Sequence, residues 1–96
     1  MTDANQVDAS RELVLDGNAV AGLLQTVYGE EMTTCPAECA SCGSISELGA
    51  LLAFTHGPGV TLRCPACEQV MIRIAETPRG TYVDSRGAAH IWRSSP

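Results

Sequence analysis

Ninety-six residues, 45% of them apolar but only 4% aromatic, describe one small domain with no large aromatic core. The net charge of −5 opposes long-range attraction to nucleic acid. The polar start Met1–Gln6 lacks a leader pattern and no run approaches membrane-spanning length, so a cytoplasmic protein away from the membrane is the expectation.

Residues 1–12 are polar and are expected to form a disordered tail, ahead of a single domain over 13–93 and a short tail over 94–96. After the apolar Leu13-Val14-Leu15, Asp16 is placed as an N-cap. Val20, Leu23, Leu24, Val27 and Tyr28 then fall at i, i+3, i+4, i+7 and i+8, which predicts a helix with one apolar stripe, stopped by Gly29. The stripe is expected to cover the apolar face of a sheet. Glu30–Glu38 reads as a connector that offers one short strand at Met32–Thr34. Cys35 lies in it with no basic neighbour to lower its pKa, and reads as a free, weakly reactive thiol.

Two hooks of the form C-x-x-C follow, Cys39–Cys42 and Cys64–Cys67, separated by 21 residues. Two cysteines three positions apart can face one ion when the backbone between them turns tightly. Two such hooks supply four soft, deprotonated ligands in a tetrahedron. Cys39, Cys42, Cys64 and Cys67 are therefore the predicted ligands of one Zn²⁺, and iron suits the same four thiolates. Two disulfides, or a redox-active dithiol, are the other uses of such cysteines. A domain of this size often needs a staple, and structural zinc contributes on the order of 10 kcal/mol to folding.

Between the hooks, Ser44–Glu47, Ala50–His56 and Val60–Arg63 read as strands, with a tight turn at His56–Gly59, so the segment is a hairpin that returns the second hook to the first. After Cys67 the alternation over Val70–Ala75 places Val70, Ile72 and Ile74 on one face and Met71 and Arg73 on the other. Thr81–Asp84 and Ala88–Arg93 complete a predicted meander, with Ile91 inward and His90 and Trp92 outward. Arg73, His90 and Trp92 are then expected on one outer surface, with Arg93 at its edge. Neither His56 nor His90 is expected at the metal.

The fold class that emerges is small α+β: antiparallel hairpins and a meander with one N-terminal helix. On Cys39-Ala-Ser-Cys42-Gly43 and Cys64-Pro-Ala-Cys67 the chain resembles the zinc-ribbon class, in which two such knuckles clamp one zinc. It also looks like an uncharacterised family of short bacterial proteins. The residues carrying that resemblance are Leu15–Ala19, the paired knuckles, Pro58–Cys67 and the closing strands, most of 13–93. The resemblance implies a fold and a metal and carries no activity. Knuckles of the zinc-ribbon and rubredoxin type commonly end in Cys-Gly; the second one here ends in Cys67-Glu68.

Four cysteines leave no open coordination position, and no Ser/His/Asp set, carboxylate pair or phosphate loop stands out, so no enzyme is expected. The first expectation is a non-catalytic zinc-binding module that mediates protein–protein interaction. A rubredoxin-like iron electron carrier is one alternative. A nucleic-acid-binding ribbon using the C-terminal arginines with Tyr82 and Trp92 is another. Charge speaks against it overall, although residues 62–96 carry five Arg against three acids while residues 1–61 carry one against eight.

Overall fold

The computed structural model describes residues 15–93, so the two predicted tails lie outside the described residues. The elements run β1 (Leu15–Asp16), a 3-10 turn (Gly17–Val20), α1 (Ala21–Tyr28), β2 (Pro36–Cys39), β3 (Ile45–Glu47), a second 3-10 turn (Leu48–Ala50), β4 (Leu52–Phe54), β5 (Gly59–Arg63), β6 (Val70–Thr77), β7 (Gly80–Asp84) and β8 (Ala88–Ile91). They form a small α+β unit with two antiparallel sheets, a five-stranded one in the order β1-β4-β5-β6-β7 and a three-stranded one in the order β3-β2-β8.

The helix sits where its stripe predicts, although its first four residues are wound as 3-10. Val20 and Leu24 are buried, Leu23, Val27 and Tyr28 pack against the core, and Gly29 ends the helix in the left-handed conformation. Asp16 is extended, as an N-cap residue is, but its side chain makes no capping bond. Leu23 lines a cleft with Val60 of β5 and Ile74 of β6, so the helix lies over the five-stranded sheet. The core joins Leu24 to Leu48, Leu51, Leu62, Met71, Ile72 and Ile74, with Met32, Cys35 and Ala37 from the other sheet and its approach. No aromatic residue is fully buried among the described residues. Aliphatic and sulfur-bearing side chains fill the interior instead.

Three expectations need correction. The strand expected at Met32–Thr34 is a turn, and the strand before the first hook is Pro36–Cys39. The strict alternation of β6 breaks at its start. Leu62 pairs with Ile72 but Arg63 pairs with Val70, so a bulge inserts one residue. Met71 therefore turns inward at 1% exposure beside Ile72, while Val70 is 37% exposed.

The third correction is the meander. Strands β6 and β7 form a hairpin, but β8 leaves for the other sheet and pairs with β2. The crossing runs through Gly87. Its carbonyl accepts the N–H of Ala40 in the first hook, at 2.8 Å. A Cβ at Gly87 would land on the Val70 carbonyl oxygen, so the turn lies directly against the bulge. Only a residue without a side chain allows that approach. Because β6 and β8 belong to different sheets, Arg73 and the pair His90/Trp92 do not share a surface built from neighbouring strands. Arg73 instead stands opposite Asp84 and Thr61.

Candidate metal centre

Each hook is the turn of one hairpin. Cys39–Cys42 joins β2 to β3, and Cys64–Cys67 joins β5 to β6, so each sheet contributes two sulfurs. The two turns repeat one design. In the first, the N–H of Gly43 donates to the Cys39 carbonyl at 2.9 Å, and the Ser41 N–H approaches the Cys39 sulfur at 3.4 Å. In the second, the Glu68 N–H donates to the Cys64 carbonyl at 2.7 Å, and the Ala66 N–H approaches the Cys64 sulfur at 3.3 Å. The first cysteine of each hook also donates its own N–H, Cys39 to the Ser44 carbonyl and Cys64 to that of Gln69, both at 2.9 Å.

These turns bring the four predicted cysteines together. Their sulfurs all lie within 4.8 Å of one another. Across the hooks, Cys39 and Cys67 are 3.6 Å apart and Cys42 and Cys64 are 3.7 Å apart. A tetrahedron of metal–sulfur bonds of about 2.3 Å has edges of about 3.8 Å. The residues present thus fit a four-coordinate metal ion. The same distances are far too long for disulfides, and all five cysteines are free thiols. Neither histidine belongs to the cluster among the described residues.

The electrostatics of the bare thiols show what a cation would supply. Burial works against charge on Cys64, yet hydrogen bonds from Ser44 and from the N–H groups of Cys67 and Ala66 outweigh it and bring the thiol down to about 6. At Cys67 the N–H of Gln69 favours the thiolate, but burial and the three neighbouring sulfurs push the thiol up to about 11. The hydrogen bond with Ser44 lowers Cys42. Four sulfurs this close do not all ionise unaided; a bound divalent cation removes that penalty and holds them as thiolates.

Two supporting residues were not anticipated from sequence. The Ser44 hydroxyl lies 3.3 Å from both Cys42 and Cys64 sulfurs and so bridges the hooks. Its only sequence signal is its place two residues after Cys42. Arg63, the last residue of β5, donates to the Glu68 carbonyl at 2.9 Å while its guanidinium sits over the Phe54 ring at 5.4 Å. It braces the left-handed Glu68. Read as a strand residue alone, Arg63 looks like an ordinary solvated cation.

Cys35 stands apart from the cluster. It is 2% exposed, and its thiol faces the Met32 sulfur at 3.9 Å. It behaves as a small core side chain, consistent with a thiol that reacts slowly. Other predicted features fall elsewhere. Arg93 is bound to Glu30 at 2.7 Å and to the Tyr28 carbonyl at 2.9 Å, tying the end of β8 to the end of the helix. Arg86 is paired with Asp84. No helix among the described residues is long and apolar enough to cross a membrane.

Comparison with known proteins adds a family and no activity. No curated protein and no solved structure matches the chain. One family model matches residues 8–95, spanning both hooks and all eight strands: the chain belongs to DUF6510, a family of unknown function.

Proposed function

We propose that this protein is a zinc-ribbon module, a non-catalytic zinc-binding domain that acts by binding another protein. The observation that supports it is the convergence of four sulfurs, two from the hairpin turn of each sheet, at the edge lengths of a metal tetrathiolate. Four thiolates fill a tetrahedron and leave no position for water or substrate, which is the arrangement of a structural site. Cys39, Cys42, Cys64 and Cys67 would hold the ion, and Ser44 would sit against two of its ligands. The ion supplies folding free energy and a fixed relation between the sheets. Protein binding is favoured over nucleic acid because the chain is acidic and three of its five C-terminal-third arginines, Arg63, Arg86 and Arg93, are bound to their own chain, leaving Arg73 and Arg79.

The test is purification of the native full chain from its host under mild conditions, with elemental analysis and partner identification on the same sample. One zinc per chain and a stoichiometric protein companion are expected. Stoichiometric iron with a visible thiolate-to-iron band would replace this reading with the electron carrier. Submicromolar oligonucleotide binding, lost on Arg73→Ala, would replace it with the nucleic-acid ribbon.

A further inference from the structure

The three-stranded sheet has one face turned to the core and one turned away. Ser46, Ala37 and Ile91 form a cross-strand row on the inner side, where Ala37 is fully buried and Ile91 packs against the core. The rows on either side of it must point outward. One is Ile45–Glu38–His90. The other is Glu47–Pro36, extended by Trp92, whose N–H donates to the Pro36 carbonyl at 2.9 Å. His90 and Trp92 lie two apart on this side with ring centroids 5.8 Å apart.

Ile45 on β3 and Trp92 beyond β8 stand at opposite flanks of this face, with Glu38 on β2 between them and Glu47 beside Ile45 on β3. Ile45 is 60% exposed and Trp92 47% exposed, high for side chains of that size. Arg93, just past the end of β8, is committed to Glu30 and the Tyr28 carbonyl, and the side chain directly opposite Glu38 is His90. The sequence predicts Trp92 on one surface with Arg73 and His90, a site for an acidic peptide or a stacked base. Moving β8 into the other sheet replaces that arginine with two carboxylates and reverses the sign of the partner.

We propose that the outer face of the β3-β2-β8 sheet, centred on Trp92 and framed by Ile45, Glu38 and Glu47, docks a basic segment of a partner protein that carries an apolar anchor. This rests on the protein-binding reading above and assigns it a surface. Charge selects the occupant. Residues 1–14 hold Arg11 against Asp3, Asp8 and Glu12, so the chain's own N-terminal segment is acidic and mismatched. A second copy would bring two more glutamates against these two, within a protein already at −5. A cationic partner gains on both counts, and Trp92 supplies the kind of large aromatic contact that dominates interface energetics.

The experiment uses the metal-loaded full chain and Trp92, its sole tryptophan, as reporter. A synthetic peptide of alternating Lys and Val is titrated, with an alternating Glu and Val peptide as control. The expected result is saturable binding of the lysine peptide that shifts Trp92 emission and weakens with salt, with no response to the glutamate peptide. The double variant Glu38→Lys/Glu47→Lys should weaken binding about tenfold or more. Calorimetry should show a comparable loss for Trp92→Ala, while both variants keep wild-type metal content. Equal binding of both peptides, or no loss in the charge-reversed variant, would overturn the proposal. So would a Trp92 already shielded from acrylamide before peptide is added, because the face is then covered by residues 1–14 or a second copy. A native partner that binds the charge-reversed and Trp92→Ala variants unchanged would refute this surface while leaving the protein-binding reading standing. An iron centre would refute the reading itself.

Discussion

Gly43 and Glu68 occupy the same place in the two hooks. Each follows the second cysteine, each has positive φ, 80° and 66°, and each donates its N–H to the carbonyl of the first cysteine in its hook. Glycine takes that conformation freely, whereas a residue with a Cβ is strained by about 1 kcal/mol or more. Replacing Glu68→Gly should therefore stabilise the metal-loaded protein by about 1 kcal/mol, a rise of about 4–8 °C in melting temperature for a domain of this size. Arg63→Ala should move it the other way, since the Glu68 carbonyl loses its guanidinium and Phe54 loses its cover. Thermal melts of the three proteins at matched metal content check this.

Cys35 and Cys64 are both buried, yet they should respond differently to substitution. Cys35→Ala removes one sulfur from the core and should lower stability by about 1 kcal/mol with metal content unchanged. Cys35→Ser should cost about 1–3 kcal/mol, because a hydroxyl would be buried among Met32 and its apolar neighbours. Cys64→Ser removes a ligand and should abolish both stoichiometric metal and the cooperative melt. Metal analysis beside circular dichroism separates the outcomes; release of metal by Cys35→Ala would contradict the ligand assignment.

Gly87→Ala should damage the protein out of proportion to one methyl group. The new Cβ would strike the Val70 carbonyl, and any shift that relieves it pulls the Gly87 carbonyl from the Ala40 N–H. A loss of about 2 kcal/mol or more is expected, with faster surrender of metal to a chelator. Urea unfolding gives the first quantity and chelator competition the second.

Metal loading should release protons and strengthen with pH. At neutral pH the Cys64 thiol, held down to about 6, is already mostly ionised, but Cys67, pushed up to about 11, must give up its proton to bind. A group whose proton is displaced on binding makes affinity rise as pH rises and fall as pH falls. Apparent zinc affinity, measured by competition from pH 6 to pH 8, should climb steadily. A flat profile would mean that the thiols are not the ligands.

Much of this was legible in the chain because its signals are local. The helix follows from the stripe Val20–Tyr28 closed by Gly29, and the grouping of Cys39, Cys42, Cys64 and Cys67 follows from hook spacing. The features that escaped depend on contacts between distant segments. The bulge that buries Met71 lies against the distant turn at Gly87, and no periodicity within β6 encodes it. The move of β8 to the three-stranded sheet is a pairing choice made with β2, some 50 residues away, whereas a short turn after β7 suggests the nearer neighbour. That single choice decides whether Trp92 stands beside an arginine or beside Glu38 and Glu47. Ser44 was missed for a related reason, since its role arises only when the second hook folds back on the first, whereas that of Arg63 depends on the left-handed turn at Glu68 and on Phe54 across the β4-β5 pair.

One ion joining the two hooks is the claim on which the fold and the proposed function both depend. Native mass spectrometry of the full chain, expressed without added metal and sprayed from neutral volatile buffer, measures it directly. The predicted result is a single species heavier than the apo chain by one zinc less the displaced protons, reduced to apo mass in Cys67→Ser. A folded wild-type chain at apo mass that takes up no zinc when it is offered would contradict the account.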